Sequence, residues 1–373
     1  MTQLRRLSSW LAVAALLLAY PRAIEPSFAQ SPAGPERFDQ WLNAIEAHVP
    51  GEPGLVAVDV STWSGPELDA VIADAKRHAR VLAKTDLERA NEILLRGAAL
   101  HADIGSLIPE DTVRRSAKQR TTYIVRDGRW VGIRYVSIHW QLGRSLLDSV
   151  TPDPASHSGV RAWYLETLEQ LAQLRQFASA VDHLVRARQL FPSDPAILFA
   201  SGVMHERFAS AGLQAAAESV SESNREPAAI NTQRAELTRA ERFFRDTLAV
   251  RPDHIHARVR HGRVLDELGR HDDAAAELRR AIEGGASEEL LYLAELFLGR
   301  AEDARGNVQA ARTAFERASA LYPDAQSPRL ALSQIARRVG DRAAAQHQLH
   351  AIAKLPDDER RRKDPWWLYY DAR

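Results

Sequence analysis

The chain has 373 residues, 49 of them basic and 49 acidic, with no cysteine and two methionines. A net charge of zero excludes the broad positive field behind non-specific nucleic-acid binding, and the lack of cysteine excludes disulfide scaffolds, thiolate metal sites, iron–sulfur ligation and thiol nucleophiles. At 45% hydrophobic residues the chain can bury a core, and its length suits two or three compact domains or one elongated array.

The N-terminus carries Arg5 and Arg6, an apolar run at 10–20 (WLAVAALLLAY), then Pro21 and a polar stretch ending Ser27-Phe28-Ala29. A positive start, a short apolar run and small residues one and three before a cut after Ala29 are the parts of a secretory signal. Eleven residues of helix span roughly 16 Å, about half a bilayer core, which argues against an uncleaved anchor. Residues 1–29 are therefore expected to be a cleaved signal peptide, which places the mature chain in the periplasm or outside the cell with no membrane span. Removing Arg5, Arg6, Arg22 and Glu25 leaves 46 basic and 48 acidic residues.

Residues 30–155 read as a helical N-terminal region of degenerate helix pairs. Trp41 to His48 follows an apolar start. Ser64-Gly65-Pro66-Glu67 places a cap and an early proline ahead of LDAVIADAKRHARVLA, and Thr85 or Asp86 caps LERANEILLRGAALHADI. Asp127-Gly128 between YIV and WVGI fits a small hairpin turn, while 132–150 (GIRYVSIHWQLGRSLLDSV) carries a helical pattern that ends at Pro152.

A fixed period governs the second half of the chain. Counted back from Pro323, Ala318, Phe315 and Ala311 lie five, eight and twelve residues earlier, Gly306 seventeen earlier, and Leu298-Gly299 before that. The same offsets find Ala187, Leu184 and Ala180 before Pro192, and Thr247, Phe244 and Ala240 before Pro252. They find Ala281, Leu278, Ala274, Gly269 and Gly262 before Ala286, and Ile352, Leu349, Ala345, Gly340 and Leu332-Ser333 near the end, with Pro356 displaced by one. The marker alanines are separated by 60, 34, 37 and 34 residues, the 60 being one period plus 26 residues inserted near 209–233. Small residues let antiparallel helices approach closely, the large apolar residue fills the space between neighbouring pairs, the glycine ends a first helix and the proline stops a second.

This spacing resembles the tetratricopeptide repeat, with its W-x-x-L-G-x-x-Y first helix and A-x-x-x-F…P second helix. The resemblance covers about 161–357, five helix pairs. Only Tyr164 supplies the early aromatic of the first helix; Leu198, Arg258, Glu295 and Arg329 stand at that place in the other four pairs. It implies an all-α, right-handed superhelical solenoid of antiparallel helix pairs over 156–357, with the helical N-terminal region closing one end. The insertion, rich in Ser, Asn, Glu and Pro, reads as a solvated loop.

Residues 358–373 are expected to form an aromatic cap, with an aromatic contact site for a partner as the other reading. Asp364-Pro365-Trp366-Trp367-Leu368-Tyr369-Tyr370 packs four rings into five positions, and such rings would cover the exposed face of the last pair. The basic run at 359–363 is bracketed by Asp357, Asp358 and Asp364, which suits a solvated helix face better than a nucleic-acid patch.

No motif assigns a reaction. The chain lacks G-x-S-x-G, a Walker loop and G-x-G-x-x-G, and His205-Glu206 lacks the second histidine of a metalloprotease helix. His254, His256 and His261 resemble a metal cluster only in order, since the last two fall about 140° apart around a helix. His347 and His350 have no nearby carboxylate. No catalytic residue, metal or cofactor is expected; the enzymatic alternative would draw on Asp103, Arg126, Asp127, His139 and Trp140 in the N-terminal region.

The resemblance implies a groove lined by the first helix of each pair. Its candidate contacts are Leu165 and Glu169, Phe199 and Val203, Val259 and Arg263, Leu296 and Arg300, and Leu330 and Gln334. Some members of the family clamp a C-terminal carboxylate with lysines and asparagines at these places; the first of each pair, Leu165, Phe199, Val259, Leu296 and Leu330, is apolar here, which argues against that mode. Mixed apolar and arginine lining suits an extended or helical peptide segment of a partner protein. The expected function is an exported scaffold for protein–protein interaction in the bacterial envelope, with a structural subunit of an envelope complex as the other non-enzymatic reading.

Overall fold

A computed structural model describes residues 35–49, 60, 63, 65–107, 121–126, 129–135, 138–173, 177–214, 232–355 and 364–369. The expected signal peptide, the basic run at 359–363 and 215–231 of the insertion lie outside them.

The repeat region follows the period read from the sequence. Its helices are α5 (Ser158–Gln173), α6 (Phe177–Leu190), α7 (Pro195–Phe208), α8 (Gln233–Val250), α9 (Ile255–Glu267), α10 (His271–Glu283), α11 (Glu288–Ala304), α12 (Val308–Leu321), α13 (Ser327–Arg338) and α14 (Arg342–Ala353). They pack in sequence as pairs α5/α6, α7/α8, α9/α10, α11/α12 and α13/α14, and each second helix packs on the first helix of the next pair. First helices also touch across pairs, α5 on α7, α7 on α9 and α9 on α11, so they form one face. This is a tetratricopeptide-like solenoid.

The marker residues do what their offsets require. Added Cβ atoms would stand 2.5 Å from the Phe244 ring at Gly202, 2.6 Å from Leu278 at Gly262 and 2.6 Å from the Phe315 ring at Gly299. In the last two cases the partners are sixteen residues apart, and in the first 42 apart, sixteen plus the insertion. Ala180, Ala240, Ala274, Ala311 and Ala345 are all buried. Between α11 and α12, Gly306 adopts φ 80°. That left-handed residue lets Asn307 N–H reach back to the Glu302 carbonyl at 2.8 Å, which satisfies a helix-end acceptor. Gly269 and Gly340 make the same turn. Second helices α6, α8 and α12 end two residues before Pro192, Pro252 and Pro323, since proline has no N–H to continue the ladder.

Ahead of the repeats lie α1 (Pro35–Ala47), α2 (Gly65–Leu82), α3 (Leu87–Leu107) and α4 (Ile138–Leu147). The Asp86 carboxylate accepts from Arg89 N–H at 2.9 Å and caps α3. Trp41 and Trp140, both fully buried, lie against Gly97 and Gly105, where a Cβ would come within 2.8 Å of either ring. One apolar cluster runs from Trp41 through Tyr164 and Leu184 to Phe208, so the N-terminal helices, the first pair and α7 share a core. A second runs from Val259 to Tyr369. Between them sits a smaller one built on Ala240, Phe244, Ala257 and Val264.

One reading needs correction. Helix begins only at Ile138, and within 132–150 the stretch Gly132 to Tyr135 belongs to β2 (Arg129–Tyr135), paired antiparallel with β1 (Thr121–Arg126). The β-branched and aromatic residues of TTYIV and RWVGIRY favour a strand over a helix, and the hairpin reading prevails. This hairpin is the sole departure from an all-α fold among the described residues. No described helix is long and apolar enough to cross a membrane.

Candidate functional site

The first-helix face carries a buried charged cluster. Glu206 near the end of α7 is fully buried, and its carboxylate accepts from Arg260 Nη1 and Arg263 Nη1 of α9, each at 2.7 Å. Arg260 is 1% exposed. A guanidinium so placed is tolerable only with its charge and its N–H groups satisfied.

A short C-terminal helix, α15 (Pro365–Leu368), completes the cluster. Tyr369 donates its hydroxyl to Glu206 at 2.5 Å, and its carbonyl accepts from Arg260 Nη2 at 2.9 Å. The guanidiniums of Arg260 and Arg263 lie 4.3 and 4.8 Å from the Tyr369 ring centre, an arrangement that gains cation–π attraction in a desolvated setting. Burial, and after it the Glu206 charge, raise the Tyr369 pKa well above its ordinary value, so the hydroxyl stays a donor. Trp366 meets Phe297 of α11 edge-on at 5.7 Å between centroids and lies 5.3 Å from the Arg263 guanidinium.

Asp364 fastens the start of α15. Its side chain caps the helix through Trp366 N–H at 3.0 Å and accepts from the Tyr292 hydroxyl at 2.6 Å. It also accepts from Ser327 N–H and hydroxyl at 3.2 and 2.8 Å. The described rings of this segment were expected over the last pair. They lie instead on α9 and α11, because the donors and ring faces that fit them are on first helices.

Beside Trp366 opens a cavity of about 620 Å³. Leu296, Phe297, Phe315 and Leu330 supply its apolar surface. Arg300 and Arg338 stand at its side, bonded to Glu267 at 3.1 Å and to Asp303 at 3.0 Å. Each of these two pairs joins neighbouring first helices, α9 with α11 and α11 with α13.

The candidate contacts divide into three groups. Leu296, Arg300, Leu330 and Gln334 line the cavity together. Arg263 lies in the buried cluster. The others do not converge there. Val259 is fully buried in the core, Leu165 packs against the first cluster, and Phe199 and Val203 pack against the small central one. Glu169 is exposed on α5. Glu206, Arg260 and Tyr292 were not anticipated, and Tyr369 was expected only as one ring of the cap. A signal existed for the first: Glu206, Asp266 and Asp303 each stand four residues after the small residues Gly202, Gly262 and Gly299.

Two of the three clustered histidines are held by local hydrogen bonds. His254 Nδ1 accepts from Ala257 N–H at 3.2 Å and caps α9, and His256 Nε2 accepts from Arg260 Nε at 3.0 Å. Both rings lie against Phe199. Burial, and then the Arg260 charge, push the His256 pKa down to about 3. Among the described residues no group of three His, Asp or Glu side chains is disposed to hold a metal ion.

No family model and no curated protein matches the chain. Among solved structures it is similar to Pseudomonas aeruginosa pilF, at 17% identity over 54% of this chain and 79% of that one, with a TM-score of 0.42. It is also similar to MamA from Desulfovibrio magneticus RS-1, at 19% identity over 52% of this chain and 94% of that one, with a TM-score of 0.39.

Proposed function

We propose that the mature chain is a non-enzymatic scaffold in the bacterial envelope that binds a segment of another protein along the first-helix face. The observation that carries this reading is the cavity lined by Leu296, Arg300, Leu330 and Gln334, which joins an apolar floor to a rim of paired charges. An apolar surface with a few fixed polar groups is what a docked helix or extended peptide needs. The positive start, short apolar run and small residues before Gln30 support export. The domain limits follow the same logic: signal peptide 1–29, helical region 30–155, repeats 156–357 and C-terminal segment 358–373.

The test is affinity capture from a native envelope extract, using the mature chain and a Leu330→Asp/Gln334→Ala variant. Leu330 and Gln334 are exposed, so folding should survive, as circular dichroism can verify. A protein retained by the parent and lost with the variant supports the reading. Identical capture by both, or none by either, overturns it.

A further inference from the structure

The Asp364 to Tyr369 segment sits on the first-helix face as a ligand sits in a receptor. Its partners come from four helix pairs: Glu206 from the second, Arg260 and Arg263 from the third, Tyr292 and Phe297 from the fourth, Ser327 from the fifth. On its own side every contact comes from one turn, with Trp366 and Tyr369 three residues apart and so on one helix face. Recognition is spread over the solenoid and compact in the segment.

Part of the receptor half is paired within the solenoid itself. Arg260 and Arg263 both donate to Glu206 from within the solenoid, and Arg263 also lies 3.9 Å from the Glu267 carboxylate. Lift the segment away and Arg260 Nη2 lacks a carbonyl, Glu206 Oε1 lacks its hydroxyl donor, and Tyr292 and Ser327 lack a carboxylate. Those demands specify a ligand: an acidic residue, a tryptophan two positions on, and a tyrosine three positions after that.

We propose that this face is a recognition site for a peptide of that acidic and aromatic pattern on a partner protein, for which the chain's own C-terminal segment is the resident competitor. The proposal rests on the scaffold reading and names its partner chemistry. Tethering gives the resident an effective concentration of roughly millimolar order, so an incoming peptide binds weakly until the resident is loosened.

The probe is a fluorescein-labelled peptide of residues 362–371 (RKDPWWLYYD), followed by anisotropy against the mature chain and a Trp366→Ala/Tyr369→Phe variant. The expected result is binding to the variant at least tenfold tighter than to the parent. A peptide with Asn for the aspartate corresponding to Asp364 and Phe for the tyrosine corresponding to Tyr369 should bind the variant at least tenfold more weakly. Equal binding to parent and variant, or equal binding of both peptides, overturns the proposal. If the double variant fails to melt cooperatively, Tyr369→Phe alone replaces it, with a gain of threefold or more expected and no gain overturning the idea. A partner captured from the envelope that excess peptide does not displace would also overturn it while leaving the scaffold reading in place. Dimers of the parent dissolved by the peptide would assign the occupant to a second copy and refute a foreign partner.

Discussion

The Phe315 ring fills the space a side chain on Gly299 would need, with Cε1 2.6 Å from where a Cβ would stand. The ring is buried, so it cannot swing away into solvent. Gly299→Ala should therefore cost about 1–3 kcal/mol, the usual range for overpacking a filled core, even though alanine is the better helix former. Gly212→Ala is the control, since nothing lies within 4 Å of a Cβ there. Urea unfolding should show a lowered midpoint for the first and a nearly unchanged one for the second.

That contact explains which parts of the fold were legible in advance. The repeat declares itself because close helix approach demands small residues and large fillers at fixed offsets, so Gly262 with Leu278 and Gly299 with Phe315 recur in register. The buried cluster was hidden for the converse reason. Glu206 and Arg260 look like ordinary surface residues along the chain, Tyr369 looks like one ring of a cap over the last pair, and Glu206 and Tyr369 are 163 positions apart. Only the return of the C-terminal segment onto the first helices brings them together. The hairpin fell between two readings because Gly132 to Tyr135 lies in a stretch that fits a helical period and a strand composition alike.

The N-terminal core should be acid-sensitive. His101 Nδ1 and His139 Nδ1 stand 2.8 Å apart in a buried pair, and Trp41 Nε1 donates to His101 Nε2 at 3.3 Å. Burial pushes the His139 pKa down to about 4 from 6.5, and burial with the His139 charge lowers His101 well below 6.5. The unfolded chain thus binds more protons than the folded one between pH 6.5 and 4, so stability is intact above that window and falls as pH drops through it. At about 1.4 kcal/mol per unit, His139 alone accounts for a loss on the order of 3 kcal/mol. Urea midpoints measured from pH 7 to 4.5 should fall, and a His101→Phe/His139→Phe variant that still folds should show a shallower slope. Equal slopes would remove these rings from the explanation.

Asp194 joins two elements through one carboxylate. It accepts from Ala196 and Ile197 N–H at 2.9 and 3.0 Å, capping α7, and from Arg161 Nε of α5 at 2.5 Å. Burial opposes its charge, but the Arg161 hydrogen bond and the two backbone donors together leave its pKa lowered. Asp194→Ala should cost about 1–2 kcal/mol, the upper part of the range for a lost helix cap. Asp194→Asn retains an acceptor for the N–H groups and should recover much of that loss in a thermal melt.

Glu206 should matter far more than any carboxylate on the outer surface. Replacing it with alanine leaves Arg260, 1% exposed, without its principal counter-charge and strips the Tyr369 hydroxyl of its acceptor. Breaking one side of a buried pair typically costs about 3–5 kcal/mol, because the remaining charge stays desolvated. Arg312 with Glu316 is the contrast, an exposed pair one helical turn apart, whose removal should leave the urea midpoint unchanged. Salt adds a second discriminator. Mobile ions screen the exposed pair and not the enclosed one, so the deficit of Glu206→Ala should persist at 1 M sodium chloride. A deficit that vanished in salt would mean that Glu206 is reached by solvent and that the C-terminal segment does not seal the first-helix face.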